Sequence, residues 1–351
     1  MWELPPDIRW DLSRSHLGRC QVDVLSQGEL VKANVAVRDG SVTEKWVTGL
    51  RSTLDLTVPP TPDWLSWITL PKLELRVWSG IAWGRSEYMV PMGVFMVDPP
   101  GRDLPSRELT LRGRDRWQTI AQNDLLYKWP GPAGWSTELA ARLMMEGGLP
   151  DVSIDVERDL VAPGQIWDGR RNDLIGKYLE PIGADAFIDR TGQACIRTRV
   201  TQAGRALVHG EGGTLVKVSS SVSLDGVYNA VGASSTKSDV IIDPPAFVSI
   251  TDPNHPAYEW KIGRRQTLVT SSAIETWGDA YNYARAQLEK LSAPALGWSV
   301  ECVPDPTRMP GDLIEVTSDL GVVSAAVQSV THPLLVDSDS KTQKITLGAV
   351  L

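Results

Sequence analysis

Residue types that build reactive sites are scarce in this sequence of 351 residues, which has three cysteines, four histidines and three phenylalanines. Cys20, Cys195 and Cys302 lie far apart without a C-x-x-C pair, and an odd number argues against a closed disulfide framework. The sequence therefore predicts reduced thiols that are buried on strands.

A long apolar run is missing as well. No window of about 18 apolar residues exists, which argues against a membrane-spanning helix. The first ten residues, MWELPPDIRW, carry acids and prolines where a signal peptide has a basic end and an apolar core. We expect neither stable membrane insertion nor conventional secretion.

Positive charge is in deficit, because 35 Lys and Arg residues stand against 43 Asp and Glu residues, for a net charge of −8. Phosphate binding needs a clustered positive surface, so a general grip on nucleic acid is disfavoured. Ordinary acidic solubility is the simpler explanation of the balance, and a tube that lets DNA pass without sticking would also favour a repulsive lining of like charge. With 42% hydrophobic residues, a chain of this length predicts a multidomain globular protein.

A nucleophilic triad can be assembled only on paper, from Ser219 or Ser220 with His209 and Asp225. No G-x-S-x-G elbow leads into a helix, so the pattern does not bring these residues together. The HGEGG segment that starts at His209 lacks the G-K-[ST] ending of a phosphate cradle and predicts a turn between domains.

Metal ligands and paired acids are equally sparse. The histidines have no H-E-x-x-H or C-x-x-C partner and are solitary: His16, His209, His255 and His332. Two pairs of carboxylates are close in sequence: Asp185 with Asp189, and Asp103 with Glu108. Each pair could serve glycoside hydrolysis, but each flanks a strand or turn where solvated acids are normal. The sequence predicts no catalytic residue, no metal site and no cofactor.

Two groups of residues could meet partners. Arg112, Arg114 and Arg116 form the densest basic spot, but Asp115 interrupts it and a solvated strand edge is the simpler interpretation. The 14 tryptophans would suit subunit interfaces, because each offers a large apolar face with one donor. The tryptophans to inspect first for a sugar-stacking face are Trp64, Trp67, Trp78 and Trp83.

Residues 15–60 string short strands together without site chemistry between them. Apolar and polar residues alternate at 20–24, 35–37 and 54–58, and turns at Gln27-Gly28 and Asp39-Gly40 separate these runs. This pattern predicts a β-meander and is typical of an assembly module.

The same residues resemble the opening of the phage minor tail proteins of the hub type, common in phages of actinobacteria. The likeness rests on a Ser-His pair before a valine-alternating strand, a DGSV turn, and an R-x-TLDLTV strand that begins at Arg51. A strand that ends in G-x-D before a short helix, at Gly113 to Asp115, and a P-G-D strand start at Pro310 to Asp312 extend the resemblance.

Strand signals continue past the meander and then give way to helices. Residues 73–77 and 87–100 predict strands, with Pro91 at an edge or bulge. From residue 112 the spacing turns helical as far as residue 125, and a Pro/Gly run at 127–135 predicts a linker.

Two helices and a hairpin are predicted after the linker. Ser136 can cap the first helix, which ends at Gly147-Gly148, and the second follows Asp168 and ends at Pro181. The hairpin turns at 189–192 and sets two pairs of residues opposite each other, namely Ala186 and Ile188 against Ala194 and Ile196.

The last third is β-rich with one clear helix. Thr276 and Asp279 form a capping pair for this helix, which stops at 292–294 and precedes strands that begin near 298, 312, 322 and 344. Strands, a helix and strands repeat the layout of the first third, so we infer an internal duplication without evident sequence identity.

The resemblance implies a mainly β fold class with an α/β insertion. Two tail-tube-like β-barrel or sandwich domains, at 1–126 and 205–351, would flank a small helix–hairpin insertion domain at 127–204. It implies a structural, non-enzymatic tail hub: a homotrimeric ring at the distal end of the virion tail, assembled in the host cytoplasm. The ring would adapt the sixfold tail tube to a threefold tip.

The partners that the resemblance implies are the distal tail protein or tail tube, tail fibre or tip proteins, the tape measure protein, and DNA in transit. If the ring passes DNA, its inner wall should carry more acidic or neutral polar residues than Lys and Arg, with Glu315 as a candidate. The alternative is a tail-tip protein that binds carbohydrate or degrades cell walls, because Trp-rich β-domains often stack on sugars. A single-barrel distal tail protein is disfavoured by the second β-rich half.

Overall fold

The computed structural model describes residues 17–83, 86–98, 108–199, 202–223, 227–236, 240–242, 244–255, 257–271, 274–292, 295–318, 321–334 and 341–348. The chain divides into two compact units. The first combines Met1–Val218 with Ser299–Val350, and the second comprises Ser219–Trp298. No helix within the described ranges is long and apolar enough to cross a membrane.

One large, mainly antiparallel sheet contains fourteen of the described strands, so the predicted mainly β fold class is confirmed. In chain order these strands are β1 (Leu17–Ser26), β2 (Glu29–Lys32), β3 (Asp39–Lys45), β4 (Ser52–Val58), β5 (Leu73–Trp83), β6 (Ser86–Val97), β7 (Leu109–Asp115), β15 (Gln202–Ala203), β16 (Leu207–Val208), β17 (Leu215–Ser223), β21 (Ala295–Cys302), β22 (Asp312–Ser318), β23 (Gly321–Pro333) and β24 (Gln343–Gly348). The main path of the sheet runs β17-β21-β24-β23-β3-β4-β7-β6-β5-β1-β2, and β22 pairs with β23, β15 and β16 beside it.

Buried and less buried side chains alternate most clearly in strand β4 of this sheet. In β4, Leu54, Leu56 and Val58 are buried while Asp55 between them is exposed, because successive side chains of a strand point to opposite faces. The buried side chains of β1, β4, β5 and β7 form one core, closed by Trp64 on helix α1 (Pro62–Trp67). This core therefore lies on one face of these strands, and the opposite face of β4 carries Thr53, Asp55 and Thr57.

Pro91 lies at a bulge, as its missing N–H predicts. The register between β5 and β6 shifts between Val77 and Trp78, and Pro91 lies opposite Trp78. A proline cannot donate to a ladder, so it is confined to edges and bulges.

Strands that are distant in sequence, β3 and β23, are neighbours in this sheet. Strand β3 pairs antiparallel with β23, from Ser329 opposite Lys45 to Pro333 opposite Ser41. We call this ladder the β3–β23 seam. Strands from both predicted barrel ranges thus belong to one sheet, and the three-domain division at 1–126, 127–204 and 205–351 stays a prediction.

The helix–hairpin region packs two helices on a small sheet within the first unit. Its helices are α2 (Gln118–Ala121), α3 (Ser136–Glu146) and α4 (Arg171–Leu179), and a 3-10 turn at Glu180–Ile182 follows. Its strands are β8 (Trp129–Pro130), β9 (Gly134–Trp135), β10 (Val152–Asp155), β11 (Val161–Ala162), β12 (Ile166–Trp167), β13 (Ala184–Ile188) and β14 (Ala194–Thr198). The predicted hairpin register is confirmed, since Ala186 lies opposite Ile196 and Ile188 opposite Ala194.

Two local predictions in this region are wrong. Ser136 does not cap α3: it is the first helical residue, and Asp159 accepts hydrogen bonds from the Thr137 amide and hydroxyl instead. The predicted helical run is also too long, because only Gln118–Ala121 is helical. Strand β7 ends at Asp115 just before it, as the G-x-D strand end before a short helix predicts. A central strand with two neighbours overrides local helical spacing.

The second unit is a three-stranded sheet with one long helix. Strand β18 (Ala230–Ser235) lies between β19 (Ala246–Ser249) and β20 (Gln266–Ser271), and the helices are α5 (Glu259–Ile262) and α6 (Trp277–Leu291). The predicted capping pair is confirmed: Thr276 accepts a hydrogen bond from the Asp279 amide, and Asp279 accepts one from the Thr276 amide. Ala280, Ala284 and Leu288 bury the apolar face of α6 against the sheet.

Candidate functional site

The described residues give no evidence for a nucleophilic triad of Ser219 or Ser220, His209 and Asp225. His209 is exposed in the loop after β16, and Ser219 lies on β17. Asp225 and the side chain of Ser220 lie outside the described residues. The absence of nucleophilic chemistry stays a prediction.

Within the described ranges, no group of three or more His, Cys, Asp or Glu side chains is placed to hold a metal ion. His255 accepts a hydrogen bond from the Ala257 amide in a turn, and His16 lies outside the described residues. The thiols are free, as predicted; Cys195 and Cys302 are buried, whereas Cys20 is only partly so. Burial raises the pKa of Cys195 and of Cys302 to about 11, which keeps both thiols protonated and unreactive.

The prediction that the paired acids are solvated is wrong for Asp185, which is buried. Its carboxylate accepts two hydrogen bonds from Arg199, at 2.6 and 3.0 Å, and one from Thr48 at 2.6 Å. Burial would raise the pKa of Asp185, but these donors hold it below its usual range. Asp189 holds the hairpin turn by accepting from the Thr191 and Gln193 amides.

The second acidic pair is only half described. Glu108 lies 3.1 Å from the guanidinium of Arg38 in an exposed ion pair. Asp103 lies outside the described residues. Glu108 thus has a surface partner, as solvated acids on strand ends commonly do.

The arginines of the basic spot, on β7 and just after it, lie in two different environments. Arg112 is exposed, with Asp55 at 3.6 Å, as a solvated strand predicts. Arg116 instead makes a bidentate pair with Glu74, at 2.7 and 2.8 Å, in a partly buried position. Asp115 is buried and accepts hydrogen bonds from the Arg51, Ser52 and Trp117 amides, so this acid has a structural role.

A buried charge network, which sequence reasoning missed, lies beneath the β3–β23 seam. Arg190 at the hairpin tip is buried, and its guanidinium donates to Glu44 on β3 at 2.5 to 3.2 Å. It also donates to the carbonyls of Pro306, at 2.6 Å, and Arg308, at 2.7 Å. One side chain thereby ties the hairpin to the sheet and to the loop before β22. We call Glu44, Arg190, Asp305, Arg308, His332 and Gln343 the Arg190 network.

The bonds of His332 define its protonation state. Gln343 accepts from the Asp305 amide through Oε1, so its Nε2 faces Nδ1 of His332 at 2.8 Å and donates to it. Nδ1 is then an acceptor, and the ring proton is on Nε2, which lies 3.4 Å from Glu44 and 3.2 Å from Nη2 of Arg190. Because Nη2 is itself a donor, Glu44 is the acceptor of that proton. Burial lowers the pKa of His332, although the hydrogen bond to Glu44 opposes the shift. His332 is therefore neutral in the folded chain.

Glu44 carries the negative charge of this network. Burial alone would raise its pKa, but the Arg190 charge and the hydrogen bonds from His332 and Arg190 hold it well below its usual range. A lone carboxylate without such partners would not stay charged in an apolar interior. Each buried charge here thus depends on its neighbour.

The opposite face of the same strands is rich in hydroxyl groups. Directly opposed residues of antiparallel strands share a face, and along β7, β4, β3, β23 and β24 these rows are mostly Ser and Thr. Thr43 and Thr331 meet across the seam with their hydroxyl oxygens 3.0 Å apart. We call this surface the hydroxyl face; its hydroxyl residues are Ser41, Thr43, Thr53, Thr57, Thr110, Ser329, Thr331 and Thr346.

Charged side chains on the hydroxyl face are fewer than hydroxyl groups among its described residues. The basic ones are Lys45, Arg112, Arg114 and Lys344, and the acidic ones are Asp39 and Asp55. Glu315 lies on β22, the strand that pairs with β23. It is exposed between the buried residues Ile314 and Val316. The predicted alternation on this strand is confirmed; a lumen beside it stays a prediction.

The inspected tryptophans do not form a sugar-stacking platform in the described part of the chain. Trp64 is 1% exposed and packs edge-on against Trp67. The guanidinium of Arg76 covers the ring of Trp78, at 4.7 Å from its centroid. The side chain of Trp83 lies outside the described residues. Trp64 and Trp67 contribute to the core, and Trp78 packs locally against Arg76.

Comparison with known proteins places the fold. A scan against protein-family models and a search of curated proteins give no match. Among solved structures, a tail protein from Neisseria meningitidis superposes with a TM-score of 0.63 at 12% identity, over 94% of this chain and 96% of that chain. The 43 kDa tail protein of prophage MuSo2 from Shewanella oneidensis gives 0.57 at 13% identity, over 94% and 98%.

A prophage tail protein from Listeria monocytogenes is also similar, with a TM-score of 0.53 at 12% identity, over 93% of this chain and 94% of that chain. At such identities the likeness concerns the fold. This chain has the mainly β fold of phage tail proteins, as the resemblance of its opening strands predicts. The actinobacterial type of tail protein stays a prediction.

Proposed function

We propose that this protein is a structural component of a phage tail, and specifically a tail hub at the distal end of the tail tube. The observation that carries the proposal is the reciprocal coverage of three phage tail proteins, at 93% or more of each chain in every pair. A shared fold over the whole length is expected of proteins that occupy corresponding places in an assembly. Fold alone does not dictate function, so the proposal needs its own test.

In the proposed assembly three copies form a ring that adapts the sixfold tube to a threefold tip. The neighbours are the distal tail protein or tube on one side and tip or fibre proteins on the other, and the tape measure protein and then DNA pass through. The two β-rich parts of each chain would give the ring six similar modules. Assembly in the host cytoplasm and a place in the virion tail belong to the same proposal.

The hydroxyl face is the wall that we assign to the channel of this ring. Neutral hydroxyl groups outnumber its Lys and Arg side chains among the described residues, which fits the expectation for a wall that does not hold phosphate. Serine and threonine can exchange hydrogen bonds with water, so they give a passing polymer no fixed charge to stop at. Glu315 would add negative charge if β22 also reaches the channel.

A ring is tested by measuring the mass of the purified chain and by imaging its particles. We expect trimers by light scattering at high concentration and threefold rings in particle images. Monomers at every concentration, together with a virion map that lacks a threefold ring at the tail tip, would overturn the proposal.

We also propose that the protein has no hydrolytic activity. Zymograms on cell-wall material and peptidase assays on pooled substrates should be blank. Activity that disappears on changing His209 or Asp225 would mean that the structural role is not the whole function. The cell-wall-degrading alternative would then be favoured.

A further inference from the structure

A shallow notch opens in the first unit where the hairpin β13–β14 approaches the turn that precedes β22. Its cavity volume is about 110 Å³. The residues that give it its chemistry are Trp46, Arg51, Phe187, Arg197, Arg199 and Pro310. Neither the tail role nor the Arg190 network accounts for this combination of arginines and aromatic rings.

The floor of the notch is formed by Arg51 stacked on Phe187. Arg51 and Phe187 are both buried, and the guanidinium carbon of Arg51 lies 4.3 Å from the ring centroid of Phe187. Arg51 also donates to the Pro310 carbonyl at 3.1 Å, which fixes the plane of its guanidinium. A stacked guanidinium held at one end is a preorganised donor.

Two arginines, Arg197 and Arg199, lie at the mouth of the notch. The guanidinium of Arg199 donates two hydrogen bonds to Asp185, as described above. Arg197 is half-exposed, and its carboxylate neighbour Asp189 is 4.0 Å away, beyond hydrogen-bond distance. Asp189 is already engaged by the amides of its own turn. Nη2 of Arg197 donates a long, weak hydrogen bond to Sγ of Cys195 at 3.7 Å, and the guanidinium carbon lies 5.9 Å from the ring centroid of Phe187. The Arg197 fork therefore keeps donors for an incoming group.

The charge balance of the notch favours an anion. Three guanidinium groups line it against the carboxylates of Asp185 and Asp312. Burial lowers the pKa of Arg51, and the nearby charges of Arg190 and Arg197 lower it further, although Glu44 and Asp185 oppose them. An added negative charge would relieve this repulsion among the arginines.

We propose that the notch binds one carboxylate, supplied by an acidic side chain of a protein that contacts this surface. A planar carboxylate matches the fork of a guanidinium, and the ring of Phe187 with Pro310 offers an apolar wall for the methylene stem. A volume of about 110 Å³ accepts such a group but not a nucleotide, and the net charge of −8 disfavours a nucleic acid. The proposal goes beyond the tail role, which bears only on which protein supplies the acid.

The test uses the full chain and acetate as the probe. Melting temperature is measured as acetate rises to about 50 mM, with chloride holding the ionic strength constant, and in a parallel series with inorganic phosphate. We expect acetate to raise the melting temperature of the unmodified chain by about 2 °C, saturating in the millimolar range. Arg197→Gln should lose this rise.

Arg112→Gln is the matched control, because Arg112 is an exposed arginine with a carboxylate at 3.6 Å. It should keep the full rise. Arg51→Lys retains the charge but removes the planar fork, and should reduce the rise if it folds. An equal rise in all variants, or no rise, overturns the proposal.

If phosphate raises the melting temperature and acetate does not, the notch is a phosphate site and the proposed carboxylate site is refuted. Particle images of the same samples separate this proposal from the tail role. Rings that form while acetate has no effect would refute the notch alone. An acetate effect without rings in any sample, together with a virion map that lacks a threefold ring, would refute the hub alone.

Discussion

The two faces of the sheet at the β3–β23 seam differ in their exposure to water, although neighbouring residues form them. Thr43 and Glu44 are adjacent in sequence, yet Thr43 meets Thr331 on the hydroxyl face while Glu44 binds Arg190 on the buried face. Groups on the first face can exchange their partners for water. Groups on the second cannot, because an unpaired buried charge is strongly unfavourable. We therefore expect the buried face to fix the geometry of the fold and the hydroxyl face to tolerate change.

The largest effect should follow Arg190→Met, which removes the cation and leaves Glu44 buried without its partner. We expect a loss of about 3 to 5 kcal/mol in the free energy of unfolding, measured by urea denaturation. Arg112→Met, on the hydroxyl face, is the control and should change stability by no more than about 0.5 kcal/mol. Equal losses in the two variants would erase the distinction between the faces.

An intermediate effect should appear when the pH is lowered. The pKa of His332 is lower in the folded chain than its unfolded value of 6.5, so below that pH the unfolded chain binds a proton that the folded chain does not. The contribution of His332 is thus complete above pH 6.5 and declines as the pH falls, with a slope of at most about 1.4 kcal/mol per pH unit.

Other groups also titrate in this range. Burial raises the pKa of Asp115 to about 6, so its protonation on acidification favours the folded chain and acts against the effect of His332. The measurement is therefore the difference between the unmodified chain and His332→Gln, followed by urea denaturation from pH 8 to about pH 5. Parallel curves would show that His332 does not titrate differently on folding.

The smallest effect belongs to the hydroxyl face. Thr43→Val breaks the hydrogen bond to Thr331, but both positions are only partly buried and a β-branched residue replaces another. We expect a change of no more than about 1 kcal/mol in the free energy of unfolding. Thr331→Val should have a similar effect. The double variant should lose less free energy of unfolding than the sum of the two single variants, since both substitutions remove the same hydrogen bond. A loss as large as that of Arg190→Met would contradict the assignment of the two faces.

Local patterns account for what the sequence could predict. The bulge at Pro91, the capping pair of Thr276 and Asp279, and the register of the hairpin all follow from residues close in the chain. The cap of α3 failed because Asp159, 22 residues away from Thr137, supplies it. Local propensity cannot identify such a partner.

The Arg190 network shows the same limit more clearly. Arg190 stands in an Asp-Arg-Thr-Gly turn, which is a typical solvated sequence, and its partner Glu44 is 146 residues away. Asp185 beside it was expected to be solvated for the same reason and is buried. Only the three-dimensional pairing distinguishes these residues from surface charges. The notch at Arg197 likewise depends on segments that the sequence does not bring together.

The β3–β23 seam can form only late in the synthesis of the chain. Thr43 and Thr331 are 288 residues apart, so β3 leaves the ribosome long before β23 exists. At a translation rate of about 5 to 20 residues per second, this edge waits about 15 to 60 seconds for its partner. During that time an unpaired strand can join another chain, and long-range pairing is intrinsically slow to form. A nascent chain of this fold should therefore benefit from a chaperone that covers β3 until translation ends.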